Sequence, residues 1–139
     1  MKHTLTFDGQ DITFDVQDGS AEAVTRIATD LLKKEGFVNL DFGDVKAILD
    51  GAENVTASEG TASGTDRCKL AAQEAAKGIK GAKRLMIEVK TSPEITLFEM
   101  SDAANVLMET CDEDAQVIWG HVIDEALGDS VKVSVAAAV

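Results

Sequence analysis

The sequence predicts an α/β (α+β) domain, in which a mixed β-sheet packs with helices and an N-terminal β-hairpin precedes it. Three observations predict this class. Stretches with a two-residue apolar period alternate with stretches of helical period, the pattern of strands interleaved with helices. The length of 139 residues is that of one domain and permits a core without disulfide or metal staples. Apolar residues make up 45% and charged residues 27%, with a single Pro and 11 Gly. That balance is globular and excludes collagen-like and Pro-rich disordered chains.

Residues 3–16 read as the hairpin. Leu5, Phe7, Ile12, Phe14 and Val16 alternate with polar residues, and the turn falls in Asp8-Gly9-Gln10-Asp11, where Gly9 accepts a positive φ. Two strands alone are marginal in water, so the hairpin must dock, on the sheet or on the helices. Asp18-Gly19-Ser20 breaks the pattern, with Ser20 as a candidate N-cap. Residues 21–35 read as an amphipathic helix carrying Val24, Ile27, Ala28, Leu31 and Leu32 on one face. Lys33 and Lys34 suit its last turn, and Gly36 suits the residue beyond it.

A second helix is expected near 41–50, on Phe42, Val45, Ile48 and Leu49, ended by Gly51. A strand is expected at 53–58. The Gly-, Ser-, Thr- and Ala-rich residues 59–65 read as a loop, and an Ala-rich helix follows near 65–77. Residues 84–90 read as a buried strand with Leu85, Ile87 and Val89 on one face and Met86 on the other. A helix at 98–110 and strands at 115–123 and 130–138 complete the chain. In domain terms, residues 1–19 are a hairpin extension and 20–139 the domain proper.

Charge narrows the function. Asp and Glu number 25 against 13 Lys and Arg, a formal charge of −12. Such a balance argues against nucleic acid and anionic membranes as partners. Apolar runs fall short of the ~20 residues of a membrane helix, and the N-terminus has no signal-peptide core, so the expectation is a cytoplasmic protein. Residues 67–90 alone are basic, with 7 cations and 2 anions. Lys77, Lys80, Lys83 and Arg84 there solvate a loop and its flanks, or steer a partner.

The chemistry-bearing residues are few. Cys68 and Cys111 form no C-x-x-C pair and read as small core residues, with a reactive thiol or regulatory disulfide as the lesser reading. His3 and His121 are the two histidines and lack metal-ligand spacing. His121 sits in a strand pattern and reads as a surface or hydrogen-bonded residue. Gly60-Thr61-Ala62-Ser63-Gly64-Thr65 lacks the Lys of a P-loop, and no G-x-S-x-G elbow exists. Asp112-Glu113-Asp114 reads as a solvated turn.

Asn39-x-Asp41-x-x-Asp44 is the most informative cluster. Asp41 and Asp44 are i, i+3 neighbours that share a helical face. An amide and two carboxylates so placed can orient a water or a cation. They can equally cap the helix, where carboxylates meet the positive dipole end.

Four ordered motifs resemble one family. Asn39-Leu40-Asp41-Phe42-Gly43-Asp44-Val45 resembles the synergy loop of the FtsZ/tubulin family, N-x-D-F-A-D-V. Ala62-Ser63-Gly64-Thr65-Asp66-Arg67 resembles its A-S-G-E-D-R. Leu97-Phe98-Glu99 with Ala103-Ala104 resembles L-F-E-x-x-x-A-A. Asp112 to Gly120, with Ile123-Asp124-Glu125 and Leu127-Gly128-Asp129, resembles D-P-D-A-x-I-I-x-G followed by I-D-x-x-L-G-D. The resemblance covers roughly residues 21–137 and implies the fold of that family's C-terminal domain. The hairpin has no counterpart in it, and neither does the family's glycine-rich G-G-G-T-G-T-G loop in this chain.

The resemblance implies that Asn39, Asp41 and Asp44 act in trans, with Asp41 and Asp44 polarising the water that attacks a γ-phosphate. GTP and Mg would be held by a partner, so the chain is expected to bind no cofactor and to hydrolyse no GTP alone. The implied partner is an FtsZ-type nucleotide-binding subunit, on which this chain docks and caps or modulates a filament in cell division. A C-terminal part of a split GTPase that completes a site in trans is the alternative. A self-associating structural relic is the third reading.

Overall fold

The computed structural model describes residues 1–17 and 19–138; Asp18 of the expected break and Val139 at the end of the expected domain lie outside them. The chain forms β1 (Lys2–Phe7), β2 (Gln10–Asp15), α1 (Ala21–Leu32), α2 (Phe42–Leu49), β3 (Val55–Ser63), α3 (Arg67–Ala76), β4 (Arg84–Thr91), α4 (Leu97–Thr110), β5 (Gln116–Ile123) and β6 (Ser130–Ala138). A short 3₁₀ turn, Glu125–Leu127, precedes β6. Among the described residues no helix is long and apolar enough to cross a membrane.

Four strands form one mixed sheet in the order β3-β6-β4-β5. β6 runs antiparallel to both β3 and β4, and β4 pairs parallel with β5. A parallel pair needs a crossover, and α4 supplies it. The pleat divides the strand residues between two cores. Met86, Val55, Ala136 and Ala138 face α1, α2 and the hairpin. Leu85, Ile87, Val89, Val131, Val133 and Val135 face α3 and α4. The opposed placing of Met86 is the expected one.

The hairpin docks on the helices, covering α1. Leu5, Ile12, Phe14 and Val16 join Val24, Ile27, Ala28 and Leu31 in one core. Each large side chain so buried contributes roughly 1.5–3 kcal/mol. Backbone bonds fix the docking: Asp15 N–H donates to Ala52 O at 2.8 Å, Gln17 N–H to Val55 O at 2.9 Å and Gly51 N–H to Thr13 O at 2.8 Å.

Several expected boundaries move. The hairpin turn centres on Asp8 and Gly9, with φ of 51° and 76°, so Phe7 pairs with Gln10. Two successive positive φ values match strand twist, and Asp-Gly supplies them. Residues 59–63 are strand, not loop, because β6 pairs with β3 from Val55↔Ala138 to Ser63↔Ser130. Their small side chains serve packing: a Cβ at Gly60 would overlap the Ala71 carbonyl of α3. α1 ends at Leu32, so Lys33 and Lys34 fall beyond its last turn. Lys34, with φ 58°, takes the left-handed position expected of Gly36. Ser20 makes no side-chain cap. The Ala-rich helix starts at Arg67, whose guanidinium holds Glu99 at 2.9 Å.

Candidate functional site

The segment between α1 and α2 is built against the end of β5. Ile123 N–H donates to Glu35 O at 3.0 Å and His121 N–H to Val38 O at 2.7 Å. A Cβ at Gly36 would overlap the His121 carbonyl. That close approach is the reason for glycine there. Asn39 Oδ1 accepts from Gly36 N–H at 3.3 Å and closes a small turn. Phe37 projects outward and stays 57% exposed.

Asp41 and Asp44 sit at the start of α2. Asp41 Oδ1 accepts from Asp44 N–H at 2.9 Å, and Asp44 Oδ2 accepts from Asp41 N–H at 3.0 Å. This is a reciprocal capping box. It satisfies one backbone donor of the helix and that of its cap residue, and it sets two carboxylates at the positive end of the dipole. The capping alternative is thus realised. Each carboxylate keeps its second oxygen without a hydrogen-bond partner among the described residues. Asn39 and Asp41 are exposed and Asp44 half-buried, so all three polar side chains stand on one short stretch of surface.

Exposed apolar groups occupy the same end of the molecule. Thr91 ends β4 beside His121, and residues 92–96 lead from it to the start of α4. There Leu97 is 60% and Phe98 86% exposed. Thr96 caps this helix by accepting from Glu99 N–H at 3.2 Å, which holds both side chains at the helix start.

His121 is not a surface residue. It is 1% exposed and bonded through both ring nitrogens: Phe37 N–H donates to Nδ1 at 3.0 Å, and Nε2 lies 2.7 Å from Thr91 Oγ1. Burial lowers its pKa below the ordinary histidine value. Its partners are 84 and 30 positions away in sequence, so no local pattern marked it. Cys68 is buried and Cys111 half-buried, both as free thiols, and burial pushes the Cys68 thiol up to about 11. Neither is a reactive thiolate. Among the described residues no three His, Cys, Asp or Glu side chains converge on a metal-sized point.

Residues 55–139 match the model of the FtsZ family, C-terminal domain. The chain belongs to the FtsZ family. Cell division protein FtsZ of Bartonella bacilliformis is 41% identical over 117 residues, 78% of this chain and 20% of that protein. That of Rhizobium radiobacter is 39% identical over 116 residues, again 78% of this chain and 20% of the relative. The chain therefore spans about a fifth of the length of the curated relatives it matches. Among solved structures, an empty FtsZ dimer from M. jannaschii superposes with a TM-score of 0.74 at 27% identity, over 86% of this chain and 37% of that one. CetZ from Methanosaeta thermophila shares the fold, with a TM-score of 0.54 at 23% identity, over 82% of this chain and 36% of that one. The expected mixed-sheet architecture is thus the FtsZ C-terminal fold. The family match begins at Val55 and takes in the whole four-stranded sheet with α3 and α4. The stretch aligned with the curated relatives, 78% of this chain, is longer than the family match and reaches across residues 36–44 as well.

Proposed function

We propose that this FtsZ-family chain is a docking module that presents Asn39, Asp41 and Asp44 to the nucleotide face of an FtsZ-type subunit. The observation that carries the reading is the shared end of the molecule. Asn39, Asp41 and Asp44 follow exposed Phe37 on one short surface segment there, and exposed Leu97 and Phe98 begin α4 on the other face of the sheet. Exposed apolar side chains near a few fixed polar groups are the anatomy of a protein interface. Docked there, the unpaired oxygens of Asp41 and Asp44 orient water against a phosphate bound by the partner. The chain modulates or caps the filament and hydrolyses no GTP alone. A split GTPase completed in trans uses the same surface and differs in outcome: phosphate release then rises.

The test separates charge from capping. Asn caps a helix about as well as Asp, so Asp41→Asn with Asp44→Asn removes both charges and keeps the box. The wild-type chain is titrated into polymerising FtsZ of a matched relative with GTP, following pelleted polymer and phosphate release. Capping predicts loss of polymer at substoichiometric chain, and the double Asn variant loses most of that effect while still folding cooperatively, with at most a small fall in melting temperature from the lost helix-dipole contacts. An undiminished effect in the double variant overturns the role of the carboxylates.

A further inference from the structure

In the loop that carries the candidate site, the Phe37 amide is held by one side chain. Phe37 N–H can only donate, so His121 Nδ1 must be the acceptor and carry no proton. The neutral ring then has its proton on Nε2, which donates to Thr91 Oγ1 at 2.7 Å. Thr91 Oγ1 donates its own hydrogen bond to Ser92 O at 2.6 Å. Each donor in this chain meets an acceptor, and one tautomer alone satisfies it. The Phe37 ring adds a face contact, with its centroid 5.1 Å from that of His121. The His121 main chain adds the bond to Val38 O. Main chain, side chain and ring of one residue therefore grip residues 37 and 38. Asn39 follows directly, and Asp41 is three positions beyond Val38.

We infer that His121 is the positioning residue of the 36–44 loop. As the neutral Nε2–H tautomer, it fixes where Asn39, Asp41 and Asp44 stand toward a docking partner. His121 touches none of the reacting atoms; it acts through Phe37. Without the acceptor, the Phe37 amide loses its hydrogen-bond partner among the described residues, and residue 37 loosens between the main-chain bonds that still hold Glu35 and Val38 to β5. The inference rests on the docking role proposed above, and its test is arranged so that the two fail separately.

The first readout is the wild-type protein, with ¹⁵N shifts of the His121 ring. An unprotonated Nδ1 and a protonated Nε2 are expected, and the opposite tautomer overturns the inference. The second is amide exchange. His121→Leu removes both ring bonds at similar volume, whereas His121→Asn places Oδ1 where Nδ1 was. Phe37 N–H is expected to exchange roughly tenfold faster in the Leu variant relative to core amides of Ile87 and Val133, and near the wild-type rate in the Asn variant. Unchanged Phe37 exchange in His121→Leu, or equal loss in both variants, overturns it. Should the Leu variant not fold, the Asn variant and the ring shifts still decide. The third is the FtsZ assay, where His121→Leu should weaken the effect as the double Asn variant does and His121→Asn should restore it. A wild-type chain without effect on FtsZ overturns the docking role, while the ring shifts and amide exchange still decide the grip on the loop.

Discussion

Glu88 lies on the central strand, 0% exposed, and neither of its carboxylate oxygens has a hydrogen-bond partner among the described residues. Burial pushes its pKa up to about 7; Lys90 and Arg26 oppose the shift, and Asp30 of α1 adds to it. Arg26 Nη1 stands 3.9 Å away, and Ser134 of β6, the register partner of Glu88, is itself unpaired. A carboxyl raised in the fold keeps its proton between about 4.5 and 7 while the unfolded chain has lost it. In that window the native state binds more protons, so the contribution to stability is full below the unfolded value and is lost as pH rises through the folded one. Glu88→Gln removes the titration. The variant should therefore exceed the wild type in stability at pH 8, by up to roughly 3 kcal/mol, and the gap should close as pH falls toward 5. Urea unfolding of both proteins across that range checks it, and a gap that does not vary with pH would exclude a raised Glu88.

β3 and α3 show how the same composition carries two meanings. Gly, Ser, Thr and Ala at 59–65 signal a loop by propensity, yet 59–63 pair along β6 because α3 packs closely on them. Gly60 is the point of closest approach, where a Cβ would overlap Ala71 O and stand 3.0 Å from Ala75 N. Gly60→Ala should lower stability by about 1–3 kcal/mol through overpacking. The same change in a solvated loop would fall within about 0.5 kcal/mol, so chemical denaturation distinguishes the two. Where apolar period and length agreed, as in α1, β4 and α4, the elements were legible in the sequence. Their ends were less so. Gly36 looks like a helix terminator but exists to let the chain pass the His121 carbonyl, a contact made across the fold. The candidate site divides in the same way. Asn39, Asp41 and Asp44 were legible because their spacing is local. The grip of His121 on Phe37 was not, because it joins residues 84 positions apart.

At the scale of the molecule, the sheet buries one face under α3 and α4 and the other under α1, α2 and the hairpin. The second face depends on the hairpin. Leu5, Ile12, Phe14 and Val16 sit at 4% exposure or less in the core shared with α1 and α2, and main-chain bonds tie β2 to the segment before β3. Four such side chains contribute on the order of 6–12 kcal/mol by burial, comparable with the whole net stability of a domain, about 5–15 kcal/mol. The hairpin is therefore a structural part of the fold. Ile12→Ala should cost about 2–4 kcal/mol and leave unfolding cooperative. Removing residues 1–16 should abolish the cooperative transition, because α1 then loses the cover of its apolar stripe. The signal of Trp119, which packs with the α4 side of the sheet, makes the comparison informative. If the truncated chain still melts in one transition reported equally by Trp119 fluorescence and far-ultraviolet circular dichroism, the sheet and its other helices suffice alone. If the truncated chain keeps helical signal but loses the cooperative Trp119 transition, the hairpin is the element that turns an FtsZ-type sheet and α1 into one folded body.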